Sequence, residues 1–420
     1  MTQGKPDRRS LSRRQFVKTS AVAASAVMAA PYVVRGAAAD KPIRFGVIGA
    51  GGRGRGACRD AMAAAPDVKL VAAADLSDER LADLRDKMKD LVEVDPKNCF
   101  KGPDAYKKVL DMDLDYVILA TPPSYRPLHF PAAIEAGKHV FMEKPVAVDP
   151  VGIRRMLAAG EMATRKKLCV VAGTQRRHEA SYLEVIKRLH EGAIGEIRAM
   201  QVYWNQSQLW FKPREAGWSD DDWMHRDWVN WCWLSGDHVV EQHIHNTDIA
   251  NWVLKAHPIK VNAMGGRHRR VTGDQYDFFV ADLTYPGEIH VHSECRQING
   301  CTNNVSERAI GTKGWSDCKG TIALCGSEPQ KIKVEGQGAF VQEHADLIAA
   351  IRGGQYINET RNVTESTMTN IMIRVSAYTG QEVAWDELMK SDLELKRPDY
   401  ELTAENIKAR IPVPGTAEKK

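Results

Sequence analysis

The chain has 420 residues, with 58 Lys and Arg against 54 Asp and Glu and a formal net charge of +4 at pH 7. Residues 1–39 hold seven of the basic side chains and one acidic one, so the remainder keeps 51 and 53, a net charge of −2. Binding to a nucleic-acid backbone needs clustered Lys and Arg, and the remainder has no such cluster. Its eight cysteines form no CxxC pair, which argues against a zinc knuckle and a disulfide scaffold.

The first 39 residues are predicted to be a removable export signal. They combine a basic start, an apolar run from about Ala21 to Val34 and an Ala-Ala-Ala ending. The apolar run is too short for a stable membrane span, so no stable membrane insertion is expected. Arg13 and Arg14, within Ser-Arg-Arg-x-Phe-x-Lys, resemble the bacterial twin-arginine signal, whose export machinery accepts folded proteins. We therefore expect a periplasmic or otherwise exported protein; the alternative is a disordered basic tail.

The next segment has the pattern of a dinucleotide-binding unit. An apolar run over residues 43–48 predicts a strand, a GxGxxG motif follows at Gly49, Gly51 and Gly54, and residues 55–65 continue as a helix. Such glycines permit a tight turn and close approach of a pyrophosphate. A second apolar run ends at Asp75, where a carboxylate accepts hydrogen bonds from ribose hydroxyls and favours NAD over NADP. The alternative is that Asp75 caps the next helix.

Strands and helices then alternate up to about residue 175. Apolar runs lie at 115–123 and 138–147, with helices expected at about 128–136 and 154–166 and a further strand after the second. This alternation predicts a parallel, doubly wound sheet in a domain over 40–175. Ligands of such sheets bind at the carboxyl ends of the strands. The residues expected at those ends are Gly49, Asp75, Thr121, Glu143 and Lys144.

The segments GVIGAGGRG, ATPP…H…AAIEAGKHVFMEKPVA and a later H-x-x-D resemble the Gfo/Idh/MocA family of oxidoreductases. The resemblance implies a Rossmann domain followed by an α/β substrate domain, here 176–420, with a large, mostly antiparallel open sheet that often mediates oligomers; a homo-oligomer is therefore expected. The family lysine falls on Lys144, beside the nicotinamide and the reacting hydroxyl. The residues expected to bind NAD are Gly49, Gly51, Gly52, Arg53, Gly54, Asp75, Thr121, Pro122, His129, Glu143, Lys144 and Gln175.

Residues 236–254 are predicted to form one helix with a polar stripe. The stripe contains His238, Glu241, His245 and Asp248 at spacings of three and four. A Glu one turn from a His makes an acid–base pair. The family pattern is Asp-x-x-x-His-x-x-Asp, with the His as proton acceptor; Glu241 replaces the first Asp. His243 stands where a Gly is common, and we expect it to be a packing or interface residue.

Lys144, His245 and Glu241 are therefore the predicted catalytic residues. Zinc is the alternative use of His and Glu at helical spacing. The chain has no HExxH motif, and an NAD site gives these groups a sufficient role, so no metal is predicted.

Tryptophan is unevenly distributed, since seven of ten lie between residues 204 and 233. Indoles among polar side chains suit a sugar, whose C–H face stacks while its hydroxyls need partners. Packing in the core or at a subunit interface remains an equal alternative. The expected substrate-binding residues are Arg177, Trp204, Asn205 and Asp248.

These features predict an exported, NAD-dependent oxidoreductase that acts on a sugar or polyol hydroxyl. Export of a folded protein favours a tightly bound cofactor that is recycled within the site. The alternatives are an NAD-dependent glycosidase working by transient oxidation and elimination, an ordinary dehydrogenase with an unknown electron acceptor, and a non-catalytic NAD-bound glycan-binding or scaffold protein.

Overall fold

The computed structural model describes residues 41–353 and 356–416, so the predicted signal lies outside the described residues. The first part is a six-stranded parallel sheet in the order β3-β2-β1-β4-β5-β6. Its strands are β1 Ile43–Ile48, β2 Val68–Asp75, β3 Cys99–Lys101, β4 Tyr116–Leu119, β5 His139–Met142 and β6 Val170–Ala172. Its helices are α1 Gly52–Ala64, α2 Asp78–Met88, α3 Ala105–Leu110, α4 Arg126–Glu135 and α5 Pro150–Lys166. This is the Rossmann strand order, and it confirms the predicted parallel sheet.

The second part is a nine-stranded sheet in the order β14-β13-β12-β11-β7-β10-β9-β8-β15. The helices before and beside its first strand are α6 Ala180–His190, α7 Asp220–Arg226, α8 Cys232–Ser235, α9 His238–Glu241 and α10 Ile244–Leu254. The strands are β7 Ile197–Gln206, β8 Lys260–Gly266, β9 Phe278–Tyr285, β10 Ile289–Gln297, β11 Asn304–Gly311, β12 Gly314–Ser316, β13 Thr321–Leu324, β14 Gln330–Lys331 and β15 Val383–Ala384. Neighbours pair antiparallel except β7 with β10, which confirms the mostly antiparallel sheet.

The C-terminal region contains four helices: α11 Ala339–Gly353, α12 Thr360–Thr379, α13 Trp385–Lys390 and α14 Ala404–Arg410. Helix α11 packs on α1, and its Leu347 and Ile348 belong to the same apolar cluster as Val47 and Ile118 of the parallel sheet. The Rossmann core therefore contains side chains from residues well beyond 175.

The predicted single helix over 236–254 is wrong, because the chain forms α9 and α10 with a break at residues 242–243. The turn that precedes α9 has Gly236 at φ 84° and Asp237 at φ 79°. The Asp237 carboxylate accepts hydrogen bonds from the amides of His238 and Tyr276, which anchors this turn to the loop that precedes β9. His238 is fully buried against Phe279, so the expected four-residue stripe does not form.

Within residues 41–353 and 356–416, no helix is both long and apolar enough to cross a membrane. Over the same residues, no group of three or more His, Cys, Asp or Glu side chains is arranged to hold a metal ion. No disulfide joins the cysteines within residues 41–353 and 356–416, and those at 58, 169, 232, 295 and 318 are buried.

Candidate active site

The loop after β1 has the geometry of a pyrophosphate cradle. Gly49 has φ 102°, and a Cβ there would lie 2.6 Å from the backbone of residues 120 and 121. A Cβ on Gly54 would lie 1.9 Å from the Gly49 carbonyl oxygen, whereas Gly51 and Gly52 face open space. Helix α1 begins here without a side-chain cap and without an acidic residue in its first turn. The helix terminus is thus open to an anion, as NAD binding requires.

Asp75 ends β2 beside this loop, as predicted. Its Oδ2 accepts a hydrogen bond from the amide of Ala50 at 2.8 Å, and its Oδ1 accepts one from Ser77 at 3.0 Å. Each carboxylate oxygen can accept a second hydrogen bond, which leaves capacity for the hydroxyls of a ribose. Arg80 Nη1 lies 3.9 Å from Asp75 Oδ1. The carboxylate is therefore rigidly placed at the expected adenosine end of the cleft.

Arg126, which was not predicted from the sequence, connects the ends of β4 and β5 through hydrogen bonds. This buried side chain donates hydrogen bonds to the carbonyl oxygens of Thr121, Pro122 and Glu143. The Thr121 hydroxyl lies 3.2 Å from Nδ1 of His129. Burial, with the charge of Arg126, lowers the pKa of His129 to about 3. His129 is therefore a neutral wall of the cleft.

A cleft of about 300 Å³ runs along these strand ends. Eight of the twelve predicted cofactor-binding residues line it: Gly49, Gly51, Gly52, Arg53, Asp75, Thr121, Pro122 and His129. Gly54 lies behind it as a packing residue. Together these residues fit NAD.

Arg53 connects the cradle to the end of β5. Its guanidinium forms ion pairs with Glu143 and, at 3.1 Å, with both Asp60 and Glu343. Burial raises the pKa of Glu343 well above its usual value, and the charge of Glu143 raises it further. Helix α11 thus supplies a buried carboxyl group to the back of the site.

The structure brings the three predicted catalytic residues together. Lys144 Nζ donates hydrogen bonds to the Glu241 carbonyl oxygen at 2.5 Å and to Glu241 Oε1 at 2.9 Å. A lysine ammonium has three N–H donors, so one remains for another acceptor. Glu241 also accepts a hydrogen bond from the side chain of Gln242. Glu241 therefore fixes the orientation of the Lys144 side chain at the end of β5.

His245 lies beside this pair and against an indole. Its ring stacks on Trp204 with centroids 5.5 Å apart and an interplanar angle of 27°. Burial lowers the pKa of His245 well below its usual value, and the positive charges of Lys144, Arg176 and Arg53 lower it further. The imidazole is consequently neutral at physiological pH and free to accept a proton.

Arg176, not its predicted neighbour Arg177, borders His245. Arg176 donates a hydrogen bond to the His245 carbonyl oxygen at 3.2 Å and forms an ion pair with the buried Glu307. Its guanidinium carbon lies 5.7 Å from the Trp204 ring centroid. Neither Arg176 nor Glu307 was singled out from the sequence.

The remaining predicted substrate-binding residues have other partners. Arg177 and Asp248 form a bidentate ion pair with each other, and Ser366 also donates to Asp248 at 2.7 Å. Asn205 follows Trp204 on β7 and therefore faces the opposite side of the sheet, where its amide donates to Glu294 at 3.2 Å. The structure thus brings Trp204 to His245 but does not bring Asn205 there.

Gln175, which was predicted to bind the cofactor, and His243, which was predicted to be a packing or interface residue, do not line this cleft. Gln175 lies in a short 3₁₀ turn after β6, and its buried Oε1 has no hydrogen-bond partner among the described residues. His243 is fully buried and lies 2.7 Å from the hydroxyl of Ser293 on β10. Its expected packing role is confirmed, and its ring points into the sheet.

The Trp cluster divides between several environments. Trp204 stacks on His245, Trp231 is fully buried, and Trp210 and Trp228 line the cleft opposite the glycine loop. The cluster as a whole therefore forms no single stacking platform.

The chain is similar to proteins of one oxidoreductase family. Residues 43–174 match a family model described as "Oxidoreductase family, NAD-binding Rossmann fold". Residues 182–316 match the model described as "GFO/IDH/MocA C-terminal domain". The two matches cover both sheets.

Curated relatives include an inositol 2-dehydrogenase from Acidothermus cellulolyticus, 24% identical over 79% of this chain and 88% of the relative. A glycosyl hydrolase family 109 protein from Streptomyces coelicolor is 27% identical over 38% of this chain and 33% of the relative. Among solved structures, the aldose-aldose oxidoreductase from Caulobacter crescentus, in complex with glycerol, superposes with a TM-score of 0.66 at 19% identity, covering 82% of this chain and 100% of that one. The scyllo-inositol dehydrogenase from Lactobacillus casei, with bound NAD(H) and scyllo-inositol, gives 0.63 at 19% identity, with the same coverage.

Proposed function

Because the chain belongs to the Gfo/Idh/MocA family of NAD-binding oxidoreductases, we propose that it oxidises a hydroxyl group of a sugar or polyol. The observation that carries this proposal is the Lys144–Glu241 pair, 2.9 Å apart, with the neutral His245 beside it. These groups lie at the end of β5, where a parallel sheet of this kind presents its ligands.

The residues have separate chemical tasks in this reaction. The free N–H of Lys144 donates a hydrogen bond to the substrate oxygen and stabilises its alkoxide character. His245 accepts the hydroxyl proton, and Glu241 keeps the ammonium of Lys144 in place. Bound NAD supplies the acceptor for the hydrogen that leaves carbon with its electron pair.

The charge balance of the pocket supports an uncharged substrate. Each cation that acts on His245 is paired with a carboxylate, in the pairs Lys144–Glu241, Arg176–Glu307 and Arg53–Glu143. An acidic substrate would have to displace a buried carboxylate from its partner, which is costly. A neutral sugar or polyol can stack on Trp204 and leave all three pairs intact.

The test compares single variants with matched exposed controls. Lys144→Met and His245→Ala should retain NAD and lose about 10²- to 10⁴-fold in turnover of a panel of sugars and inositols. Lys69→Met and His290→Ala change exposed residues of the same types, and both should retain wild-type turnover. Catalytic variants that retain wild-type turnover would contradict the assignment.

We further propose that NAD stays bound through the catalytic cycle and returns to its starting oxidation state in the same site, because the hydride taken from one sugar would be passed to a second sugar, which is reduced. A protein that crosses the membrane folded can carry its dinucleotide with it. Purification without added nucleotide should leave NAD bound. Protein that is isolated free of nucleotide and forms NADH in proportion to product would contradict this cycle.

Export is part of the same proposal. The twin-arginine pattern at Arg13 and Arg14 supports it. Replacement of both arginines by lysine should leave the protein in the cytoplasmic fraction. Unchanged export of that variant would count against a twin-arginine route.

A glycosidase is the second candidate, supported by the similarity to the family 109 protein from Streptomyces coelicolor. Oxidation of a ring hydroxyl would acidify the neighbouring C–H, and His245 would remove that proton before the glycosidic bond breaks. Release of the aglycone from a glycoside, without net NADH, would favour this reaction over net oxidation.

A further inference from the structure

The segment over residues 207–233, here called the Trp-rich segment, is a separately packed part of the second domain. Trp231, Met224 and Leu234 form a small apolar cluster with Leu402 and Ile407 from the C-terminal region, apart from the cores of the two sheets. The C-terminal region therefore packs against this segment and helps to hold it in place.

Polar contacts tie the front of the segment to both sides of the cleft. His225 Nε2 lies 2.6 Å from the Tyr125 hydroxyl, just after β4. Arg226 forms a 3.0 Å ion pair with Glu79 on α2, just after β2. Since β2 and β4 flank β1 in the sheet, the segment spans the glycine loop that follows β1.

The wall that the segment presents to the cleft is aromatic and cationic. Trp210, Lys212, His225, Arg226 and Trp228 line the same cavity as the glycine loop and Asp75. Trp210 is 47% exposed, so a large apolar side chain is left uncovered there.

The complete lining contains four cations and one carboxylate: Arg53, Arg80, Lys212, Arg226 and Asp75. An adenosine diphosphate group has a flat base and a doubly charged pyrophosphate. Indole faces stack on bases, and Lys and Arg pair with phosphate oxygens. The wall therefore complements the half of the dinucleotide that the glycine loop receives.

We infer that the Trp-rich segment is a second NAD-binding element, in which Trp210 and Lys212 contact the adenosine diphosphate half and the Tyr125–His225 contact keeps the cleft closed. The inference deepens the proposed retention of NAD, because it names the residues that slow its release. It depends on NAD binding and not on the identity of the substrate.

The test measures the release of labelled NAD from the full-length holoprotein into an excess of unlabelled NAD. Tyr125→Phe removes one hydroxyl from the contact with His225, and Trp210→Ala removes one indole from the wall. Each should speed release roughly threefold to tenfold, the effect expected for one hydrogen bond or one stacked ring. Lys212→Met should also reduce the dependence of release on salt.

Trp315→Ala is the matched control. Trp315 is a half-buried indole with the guanidinium of Arg308 4.2 Å from its ring centroid, and it lies on β12 of the second sheet. This variant should release NAD at the wild-type rate. Equal release rates for Trp210→Ala, Tyr125→Phe and the control would overturn the inference.

Fast exchange of NAD in the wild-type protein would refute the retention of NAD but would not test whether the Trp-rich segment binds it. In that case the equilibrium Kd for NAD decides: Trp210→Ala should raise it threefold or more, and an unchanged Kd would overturn the inference. A wild-type protein that holds NAD but turns over no sugar would contradict the proposed reaction and leave the second binding element standing.

Discussion

The glycine motif allows stability and cofactor binding to be separated by two substitutions three residues apart. In Gly54→Ala the new methyl would lie 1.9 Å from the Gly49 carbonyl oxygen, against at least 3.4 Å for ordinary contact, a shortfall of about 1.5 Å. The obstructing atom is backbone and cannot rotate away. Overpacking of this kind costs about 3 kcal/mol, which corresponds to a fall in Tm of roughly 5 °C.

In Gly51→Ala the methyl meets nothing within 4 Å, and φ is −69°, which alanine adopts readily. Its Tm without nucleotide should equal that of wild type. The methyl would occupy the space that a pyrophosphate needs, so the affinity for NAD should fall about tenfold, or about 1.4 kcal/mol.

Thermal melts with and without NAD measure both effects, because a ligand stabilises only the state that binds it. NAD should raise the Tm of wild type by more than that of Gly51→Ala. Gly338→Ala, an open glycine elsewhere, should resemble wild type in both measurements. The reasoning fails if Gly51→Ala is destabilised without nucleotide, or if it binds NAD as tightly as wild type.

Three further outcomes follow from buried charges. The carboxylates of Glu359 and Asp346 raise the pKa of His178 to about 10 despite its burial. The contribution of protonated His178 to the free energy of unfolding is therefore complete below pH 6.5 and is lost as pH rises to about 10. In urea titrations, His178→Gln should flatten this decline of stability with pH. Glu307→Ala leaves the Arg176 guanidinium buried without its carboxylate partner and should cost about 3–5 kcal/mol of unfolding free energy. Because the pKa of His245 is lowered, the rise of kcat/KM with increasing pH should have its midpoint below pH 6.5. A midpoint above pH 7 would contradict His245 as the base.

The parts of the site that depend on residues close together in the sequence were predictable. Gly49 and Asp75 each follow an apolar strand, and the carboxyl ends of parallel strands meet at one edge of a sheet. The side chains that hold the site together depend on long-range pairing. Arg176 meets Glu307 across 131 residues of chain, and no local pattern distinguishes it from Arg177, which turns to Asp248 instead.

The broken helix shows a second reason for error. Periodicity placed His238, Glu241 and His245 on one stripe, but it could not register that Asp237 adopts a positive φ and bonds to the amide of Tyr276 on the neighbouring loop. This tertiary contact outweighs local helix preference. The positive φ of Asp237 explains the late start of α9, and the break at residues 242–243 lies where the His243 ring contacts Ser293 on β10, 50 residues along the chain. The fold class was predictable because strand and helix alternation extends over many residues, whereas these features depend on single long-range contacts.

Because α11 packs into the core of the first sheet, it affects the order in which the chain can fold during synthesis. The first sheet is synthesised before residue 175, yet Leu347 and Ile348 fill its core and Asn358 bridges to Val170. The growing chain on the ribosome thus lacks part of this core until Leu347, Ile348 and Asn358 have been synthesised. Domains usually fold as units during synthesis; here the first one closes only near the end. If residues 1–39 are the export leader proposed above, a route that accepts only folded protein would release this chain only after its last helices are complete.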